Sequence, residues 1–110
     1  MSRSRNKVIA LTMGDPCGVG PEVAAAALAA RRDCRGVEFI VIGNEDVLAH
    51  YWPGKAPMPP VIHIAGETKA RHVPGKPTPA AGLDSLRYLQ HAVEILKQGR
   101  ADALVTGPVS

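Results

Sequence analysis

The sequence predicts an α/β protein with a mainly parallel sheet and flanking helices. Three observations predict it. Short β-branched apolar runs alternate with helical patterns along the 110 residues, which is typical of right-handed β-α-β crossovers. The first run, Lys7 to Met13, is almost entirely apolar, as expected of a strand covered on both faces. A glycine-rich turn then joins this strand directly to a helix.

The composition is that of a globular domain, with 45% hydrophobic and 21% charged residues and a formal net charge of +3. Aromatic residues make up only 4%, and no basic stripe interleaves with them, which argues against nucleic-acid binding. No stretch approaches the roughly 20 apolar residues of a membrane span, and no signal peptide is evident. The two cysteines form no C-x-x-C pair, so we expect a reduced, cytoplasmic protein. The length of 110 residues allows one domain at most.

The turn after the first strand has the features of an anion site. Gly14, Gly18 and Gly20 lack a Cβ, so the backbone can take positive φ angles and bring its amides close to a ligand. Pro21 and Glu22 suit the first turn of the following helix, where phosphate or carboxylate groups bind. The spacing is G-x-x-x-G-x-G, so the usual dinucleotide fingerprint is not met. A tight turn that binds nothing is the alternative.

The first helix is expected from Pro21 to about Arg32, and its alanine-rich surface should let it lie close to the sheet. One apolar stripe is predicted at Val23, Ala27 and Ala30, with Ala24 and Leu28 beside it.

The second strand is expected over Val37 to Ile42, followed by Asn44 as the N-cap of a helix over Glu45 to Tyr51. An acid just beyond the second strand is where a Rossmann protein holds a ribose. Glu45 therefore has two interpretations, a ribose ligand or a carboxylate that suits a helix start.

The middle of the chain is less regular. Trp52 to Pro60 is a proline-rich loop, and Val61 to Ile64 is a short strand in which His63 is a packed or edge residue rather than a metal ligand. A long polar connection, Ala65 to Ala81, could meet a phosphate or be a solvated loop. Its basic residues are Lys69, Arg71, His72 and Lys76.

The last helix is expected from about Ala81 to Gln98, with Gly99 at C′. Its apolar stripe is predicted at Leu86, Leu89, Val93 and Leu96, with Ala92 beside them. Solvent-facing positions are predicted at Asp84, Arg87, His91, Glu94 and Lys97.

A fourth strand, Ala101 to Thr106, ends in the turn Thr106-Gly107-Pro108. Because parallel strands end at one edge of the sheet, three loops should meet there: Gly14 to Gly20, Gly43 to Glu45 and Thr106 to Ser110.

Two motifs carry a family resemblance. The run TMGDPCGVGPE, Thr12 to Glu22, resembles the GDPAGIGPE signature of the 4-hydroxythreonine-4-phosphate dehydrogenase family, with Cys17 where the family has alanine. ALVTGPVS, Ala103 to Ser110, resembles that family's D-A-x-V-T-[AG]-P-[IV]-x-K segment, and Gly75-Lys76 followed by a helix matches in order and spacing. The resemblance covers all 110 residues but only about the first third of a family member.

The resemblance implies an isocitrate/isopropylmalate dehydrogenase-like fold, of which residues 1–110 would be an incomplete N-terminal segment of a larger two-domain enzyme. It implies a cytoplasmic oxidoreductase of pyridoxal phosphate (pyridoxine) biosynthesis, homodimeric when full length. The small phosphorylated substrate, 4-phosphooxy-L-threonine, would be oxidised by NAD or NADP to a 3-oxo acid that decarboxylates. A divalent metal, zinc, magnesium or cobalt, would take its ligands beyond Ser110, as would the catalytic residues, so none is assigned in this chain.

The resemblance also assigns candidate cofactor contacts. The aspartate of the turn, Asp15, has an equal alternative as the acceptor of an Asx turn to Cys17 or Gly18. Pro108 is expected at the same cleft. The candidate cofactor-binding residues are Gly14, Asp15, Gly18, Val19, Gly20, Thr106 and Gly107.

Two other functions remain open. One is a paralogous dehydrogenase of four-carbon sugar-acid 4-phosphates such as erythronate or threonate 4-phosphate. The other, from a different class, is a noncatalytic phosphate- or nucleotide-binding module; a structural domain with no ligand is a third possibility. By itself the chain is expected to be inactive and to expose apolar surface at an unpaired sheet edge.

Overall fold

The computed structural model describes residues 6–30, 35–66 and 73–107. Strands and helices alternate along these residues: β1 (Lys7–Thr12), α1 (Gly20–Ala30), β2 (Val37–Gly43), α2 (Glu45–Tyr51), β3 (Val61–His63), α3 (Pro79–Lys97) and β4 (Ala103–Thr106). None of the helices in these ranges combines the length and the apolar character that crossing a membrane requires.

The four strands form one parallel sheet in the order β3-β2-β1-β4. Thr12, the last residue of β1, lies beside Ile42 of β2 and Thr106 of β4. The predicted α/β fold with a parallel sheet is confirmed, and the three predicted loops do begin at one edge. We call the edge where β1, β2 and β4 end the carboxyl edge.

The helices cover the two faces of the sheet. The right-handed crossover rule places α1 and α2 together on one face and α3 on the other, because the chain moves outward from β1 to β3 and then returns to β4. In agreement, α1 packs against α2, whereas α3 lies directly on β1, β2 and β4. Small buried side chains of α3, including Ala81, Ser85 and Ala92, allow this close approach.

The predicted stripe of α1 is wrong. Val23 is 56% exposed, and Ala27 and Ala30 are also exposed. The helix buries Gly20, Pro21, Ala24 and Ala25. The two residues predicted beside the stripe are covered, since Ala24 is buried and Leu28 packs partly buried against the core. An alanine-rich helix has no strongly apolar side, so contact with α2 rather than periodicity decides its orientation.

The predicted stripe of α3 is displaced in the same way. Leu86 is 46% exposed, while Leu89, Val93 and Leu96 are only half-buried. Asp84, predicted to face solvent, is 3% exposed. The fully buried stripe consists of Ala81, Asp84, Ser85, Tyr88, Ala92 and Ile95.

The helix ends follow the predicted chemistry. The Asn44 side chain accepts a hydrogen bond from the Val47 N–H, as predicted. Thr78, which the sequence analysis did not name, caps α3 by accepting from the Ala81 N–H. Gly99 has a φ of 74° just past α3, as a C′ glycine should. Other predictions fall outside the described residues, namely those on Arg32, Cys34, Lys69, Arg71, His72, Pro108 and Ser110.

The strand β4 is less covered than its sequence suggests. It pairs with β1 on one side and forms an end of the sheet in the described part of the chain. Val105 is 48% exposed, and Ala103 and Thr106 are exposed as well. An apolar strand in a parallel sheet is normally buried on both faces, so this end of the sheet is incompletely covered.

Candidate functional site

The candidate site lies at the carboxyl edge, where the β1–α1 turn passes between the ends of β2 and β4. The Met13 N–H donates to the Ile42 carbonyl at 3.3 Å, and the Gly107 N–H donates to the Thr12 carbonyl at 2.8 Å. These bonds extend the sheet pairing into the turn. The start of the turn therefore has a fixed position relative to both neighbouring strands.

Two of the predicted glycines are required by backbone geometry. Gly14 has a φ of 74°, in the left-handed region that other residues avoid. A Cβ on Gly107 would lie 2.7 Å from the Met13 carbonyl oxygen and 3.1 Å from the Gly14 nitrogen. Gly107 and Gly14 thus let the fourth strand and the turn approach closely, whether or not a ligand binds.

Gly18 is different, because neither packing nor φ requires glycine there. Of the three glycines in the predicted turn, only Gly14 has a positive φ angle. A Cβ on Gly18 would lie 3.4 Å from the nearest atoms, both of Asp15, which is an ordinary contact. The residue is exposed. The missing side chain therefore leaves room above the turn for another molecule.

Asp15 shapes the turn. It is 5% exposed, and its Oδ1 accepts the Cys17 N–H at 2.8 Å while its carbonyl accepts the Gly18 N–H at 2.9 Å. The Asx-turn interpretation of Asp15 is confirmed. These two amides, predicted to approach a ligand, are bonded within the turn instead.

The other amides of the predicted anion site lie at the start of α1. The Val23 N–H donates to the Val19 carbonyl at 3.0 Å, which makes Val19 the residue that precedes the first helical turn. Its side chain has no oxygen that could cap the helix, unlike Asn44 before α2 and Thr78 before α3. The first amides of a helix have no acceptor within the helix, and the helix dipole favours a negative charge beside them.

A cleft of about 770 Å³ opens at the carboxyl edge, between the β1–α1 turn and α2. We call it the carboxyl-edge cleft. Of the two acids at the start of α2, Asp46 lines it and Glu45 does not. Among the described residues, those that line the cleft are Pro16, Asn44, Asp46, Val47, His50, Val73 and Pro74.

His63 has a structural role that the sequence did not indicate. It lies exposed at the end of β3, and its Nδ1 accepts the Glu45 N–H at 3.0 Å. This bond satisfies the first amide of α2 and ties that helix to the sheet. The prediction of an edge residue is confirmed, and the adjacency of parallel strand ends was the signal that could have found its partner.

Buried polar groups lie beneath the turn. Among the described residues, Thr12 Oγ1, Ser85 Oγ and Tyr88 OH are buried side-chain atoms without a hydrogen-bond partner.

Burial, followed by the charge of Asp15, raises the pKa of the buried Cys17 thiol. A thiol whose pKa is raised is a poor nucleophile at neutral pH, so Cys17 is a packing residue here.

Tyr88 provides a test of this buried region by pH. Burial, with a further contribution from the charge of Asp84, raises its pKa above the ordinary 10.0. Above pH 10, the unfolded chain loses the phenolic proton while the folded chain retains it, so folding stability should fall as pH rises. We expect the free energy of unfolding to fall by about 1.4 kcal/mol per pH unit from this group.

The measurement is denaturant unfolding between pH 9 and 11.5 for the native chain and for Tyr88→Phe. All other titrating groups are present in both proteins and cancel in the difference between their unfolding free energies. Above pH 10 this difference should therefore change, because only the native chain has the Tyr88 phenol. Parallel pH profiles would contradict the assignment.

No group of three or more His, Cys, Asp or Glu side chains that could hold a metal ion occurs within residues 6–30, 35–66 and 73–107.

A second cavity, of about 760 Å³, lies near the amino-terminal halves of β1 and β2. Its lining includes Leu28, Phe39, Trp52 and Met58 and is mainly apolar. The polar candidate groups are thus at the opposite edge of the sheet.

No protein-family model matches the chain. The chain is similar to 4-hydroxythreonine-4-phosphate dehydrogenase from Zymomonas mobilis, with 36% identity over 94% of this chain and 35% of that protein. It is also similar to a protein of Halalkalibacterium halodurans provisionally named D-threonate 4-phosphate dehydrogenase, with 28% identity over 97% of this chain and 37% of that protein.

The solved structures agree. The crystal structure of a 4-hydroxythreonine-4-phosphate dehydrogenase from Burkholderia phymatum superposes with a TM-score of 0.77 at 25% identity, covering 96% of this chain and 37% of that one. The resemblance predicted from the two motifs is confirmed, and the relatives are dehydrogenases. The chain spans about a third of the length of the curated relatives it matches.

Proposed function

We propose that residues 1–110 are the N-terminal segment of a two-domain, NAD(P)- and divalent-metal-dependent dehydrogenase that oxidises 4-phosphooxy-L-threonine. The 3-oxo acid product then decarboxylates, in a step toward pyridoxal phosphate. The observation that carries the proposal is 36% identity, along 94% of this chain, to a protein named for that reaction. The active protein would be a cytoplasmic homodimer.

The chain's own role in this reaction is to hold the cofactor. Gly18 leaves room above the turn, and the start of α1 at Val19 and Gly20 offers helix amides to the pyrophosphate. Gly14 and Asp15 would act indirectly, by fixing the shape of the turn. Thr106, exposed at the end of β4, and Gly107 would border the same space. When bound, the nicotinamide accepts a hydride from the substrate's secondary alcohol.

The metal ion of this proposal does not fit the described residues, which contain no suitable group of ligands. We therefore assign no step through a metal ion to this chain. The metal ligands and the groups that move protons would come from the rest of the full-length protein, which corresponds to the part of the relatives that this chain does not match.

The relative named for D-threonate 4-phosphate supports that compound as an alternative substrate. The test is to supply the full-length gene product with NAD or NADP and with either 4-phosphooxy-L-threonine or D-threonate 4-phosphate, and to follow cofactor reduction at 340 nm. Reduction with the first substrate supports the proposal, and reduction with the second alone selects the paralogue. Cofactor binding without reduction of either cofactor would support the noncatalytic module.

Replacing Gly18 with valine should weaken cofactor binding more than folding. A Cβ is sterically acceptable at this position, so we expect the free energy of unfolding to change by less than about 1 kcal/mol. The branched side chain would occupy the space above the turn, and we expect the KM for the cofactor to rise about tenfold, equivalent to about 1.4 kcal/mol.

Gly82→Val is the matched control. Gly82 lies in α3, has no atom within 4 Å of a Cβ position, and is outside the candidate site. Its substitution should leave the cofactor KM unchanged. A folded Gly18→Val enzyme with native cofactor kinetics would remove the turn from the cofactor site.

A further inference from the structure

We propose that His63 is a pH-sensitive clamp on α2. Its neutral imidazole holds the first turn of the helix against the sheet, and protonation of the ring releases that turn. The inference goes beyond the proposed function, because it concerns a change in the conformation of α2 and not the reaction. Residues of α2 line the carboxyl-edge cleft, so the clamp acts on one wall of the candidate site.

The first observation is the position of His63 at the end of β3. It lies beside Gly43, the last residue of β2, in the parallel register. The Ile64 N–H donates to the Gly43 carbonyl at 2.8 Å and extends this pairing by one bond. Because α2 begins at Glu45, only two residues after Gly43, the strand pairing brings the imidazole next to the first amide of the helix.

The second observation is the direction of the hydrogen bond between them. The Glu45 N–H donates to His63 Nδ1 at 3.0 Å. A backbone N–H can only donate, so Nδ1 carries the lone pair and the proton of the neutral ring lies on Nε2. In the imidazolium ion both nitrogens carry protons. Protonation therefore sets one N–H group against another, and the bond is lost.

The third observation concerns the other bonds at this helix start. Asn44 Oδ1 accepts the Val47 N–H at 3.1 Å, and the Asn44 N–H donates to Met13 Sδ at 3.3 Å. Neither a carboxamide nor a thioether gains a charge as pH changes. The helix has only seven residues, and a helix this short is marginal in water without tertiary contacts. Of these side-chain contacts, only that of His63 can be removed by a proton.

Other titratable side chains lie on the elements packed against His63. In α2 they are Glu45, Asp46, His50 and Tyr51, and the residues of β2 and β3 that pair beside it add none. Histidine is the side chain that ordinarily changes charge between about pH 5 and pH 8, so His50 is the competing candidate. It is also exposed, but it lies in the last turn of α2, where its ring contacts Tyr51.

The experiment uses the full-length gene product and its His63→Asn, His63→Ala and His50→Gln variants. Asparagine is the conservative replacement, because its Oδ1 accepts a hydrogen bond but cannot be protonated. Hydrogen exchange of the Glu45 amide is measured by NMR between about pH 5 and pH 8 and corrected for the intrinsic pH dependence of exchange. The ¹⁵N shifts of the His63 ring report its protonation and its tautomer in the same samples.

In the native protein we expect the protection of the Glu45 amide to fall about tenfold as His63 becomes protonated, which is the size expected for the loss of one hydrogen bond. The neutral ring should be the Nε2–H tautomer. His63→Asn should keep the protection across the whole pH range, and His63→Ala should lack it throughout. His50→Gln should behave as the native protein does.

Protection that does not follow the protonation of His63, or a neutral ring with its proton on Nδ1, would overturn the clamp. Native protection in His63→Ala would do the same. An unchanged pH dependence in His63→Asn would show that another group controls the helix, and its loss in His50→Gln would assign the effect to His50. These outcomes leave the proposed dehydrogenase activity standing, since reduction of the cofactor tests that separately.

Discussion

Replacing Gly107 with alanine is expected to lower the free energy of unfolding by about 3 kcal/mol, the upper part of the range for steric overpacking. The added Cβ would lie 2.7 Å from the Met13 carbonyl oxygen and 2.8 Å from its carbon. These are backbone atoms, which cannot turn aside as a flexible side chain can. The Gly107 N–H bond to Thr12 also holds the glycine in place.

The same substitution should alter the candidate site, because relief of the clash would push the β1–α1 turn away from β4. We expect the cofactor KM to rise along with the loss of stability. Urea denaturation and steady-state kinetics of the full-length protein provide the two measurements. Gly82→Ala is the control, since its Cβ meets no atom within 4 Å and alanine favours a helix. Native stability in Gly107→Ala would show that the turn is not packed against β4.

Replacing Tyr88 with alanine is expected to lower the free energy of unfolding by about 4 kcal/mol, as for other large aromatic residues in cores. Tyr88 is completely buried and belongs to the main hydrophobic cluster. It comes from the face of α3 that lies on the sheet, so its removal would leave a cavity between the helix and the strands. Part of that cost comes from lost contacts and part from the cavity itself.

Tyr88→Phe should instead be neutral or slightly stabilising at neutral pH. Its hydroxyl has no hydrogen-bond partner among the described residues, and removing a buried polar group that lacks a partner ends a desolvation cost. Leu86→Ala is the control for the alanine substitution, since Leu86 is 46% exposed on the same helix. A large loss of stability in Tyr88→Phe would indicate that the hydroxyl is bonded in solution.

Much of the fold could be predicted from local patterns. The apolar run at Lys7 to Met13, the caps at Asn44 and Gly99, and the alternation of elements all agree with the structure because each depends on a few neighbouring residues. Helix orientation could not be predicted in this way. Alanine-rich α1 has almost no preferred side, and α3 turns small residues and Tyr88 toward the sheet while leaving Leu86 exposed.

The candidate site could likewise be predicted only in part from local patterns. The sequence identified the turn and Glu45 after β2, but it did not single out Asp46. The structure contains the Asx turn at Asp15. It places Asp46 rather than Glu45 in the lining of the cleft. Both outcomes depend on where side chains lie after the strands have assembled.

The sequence by itself determined the order of strands and helices, the turn after the first strand and the resemblance to dehydrogenases. Each of these depends on residues that are contiguous in the chain. Only the tertiary structure decided that backbone geometry requires Gly14 and Gly107, that packing does not require Gly18, and which acid lines the cleft. The physical reason is that Gly107 meets Met13, and Asp46 shares a cleft with Pro16, only once parallel pairing has brought the strand ends together.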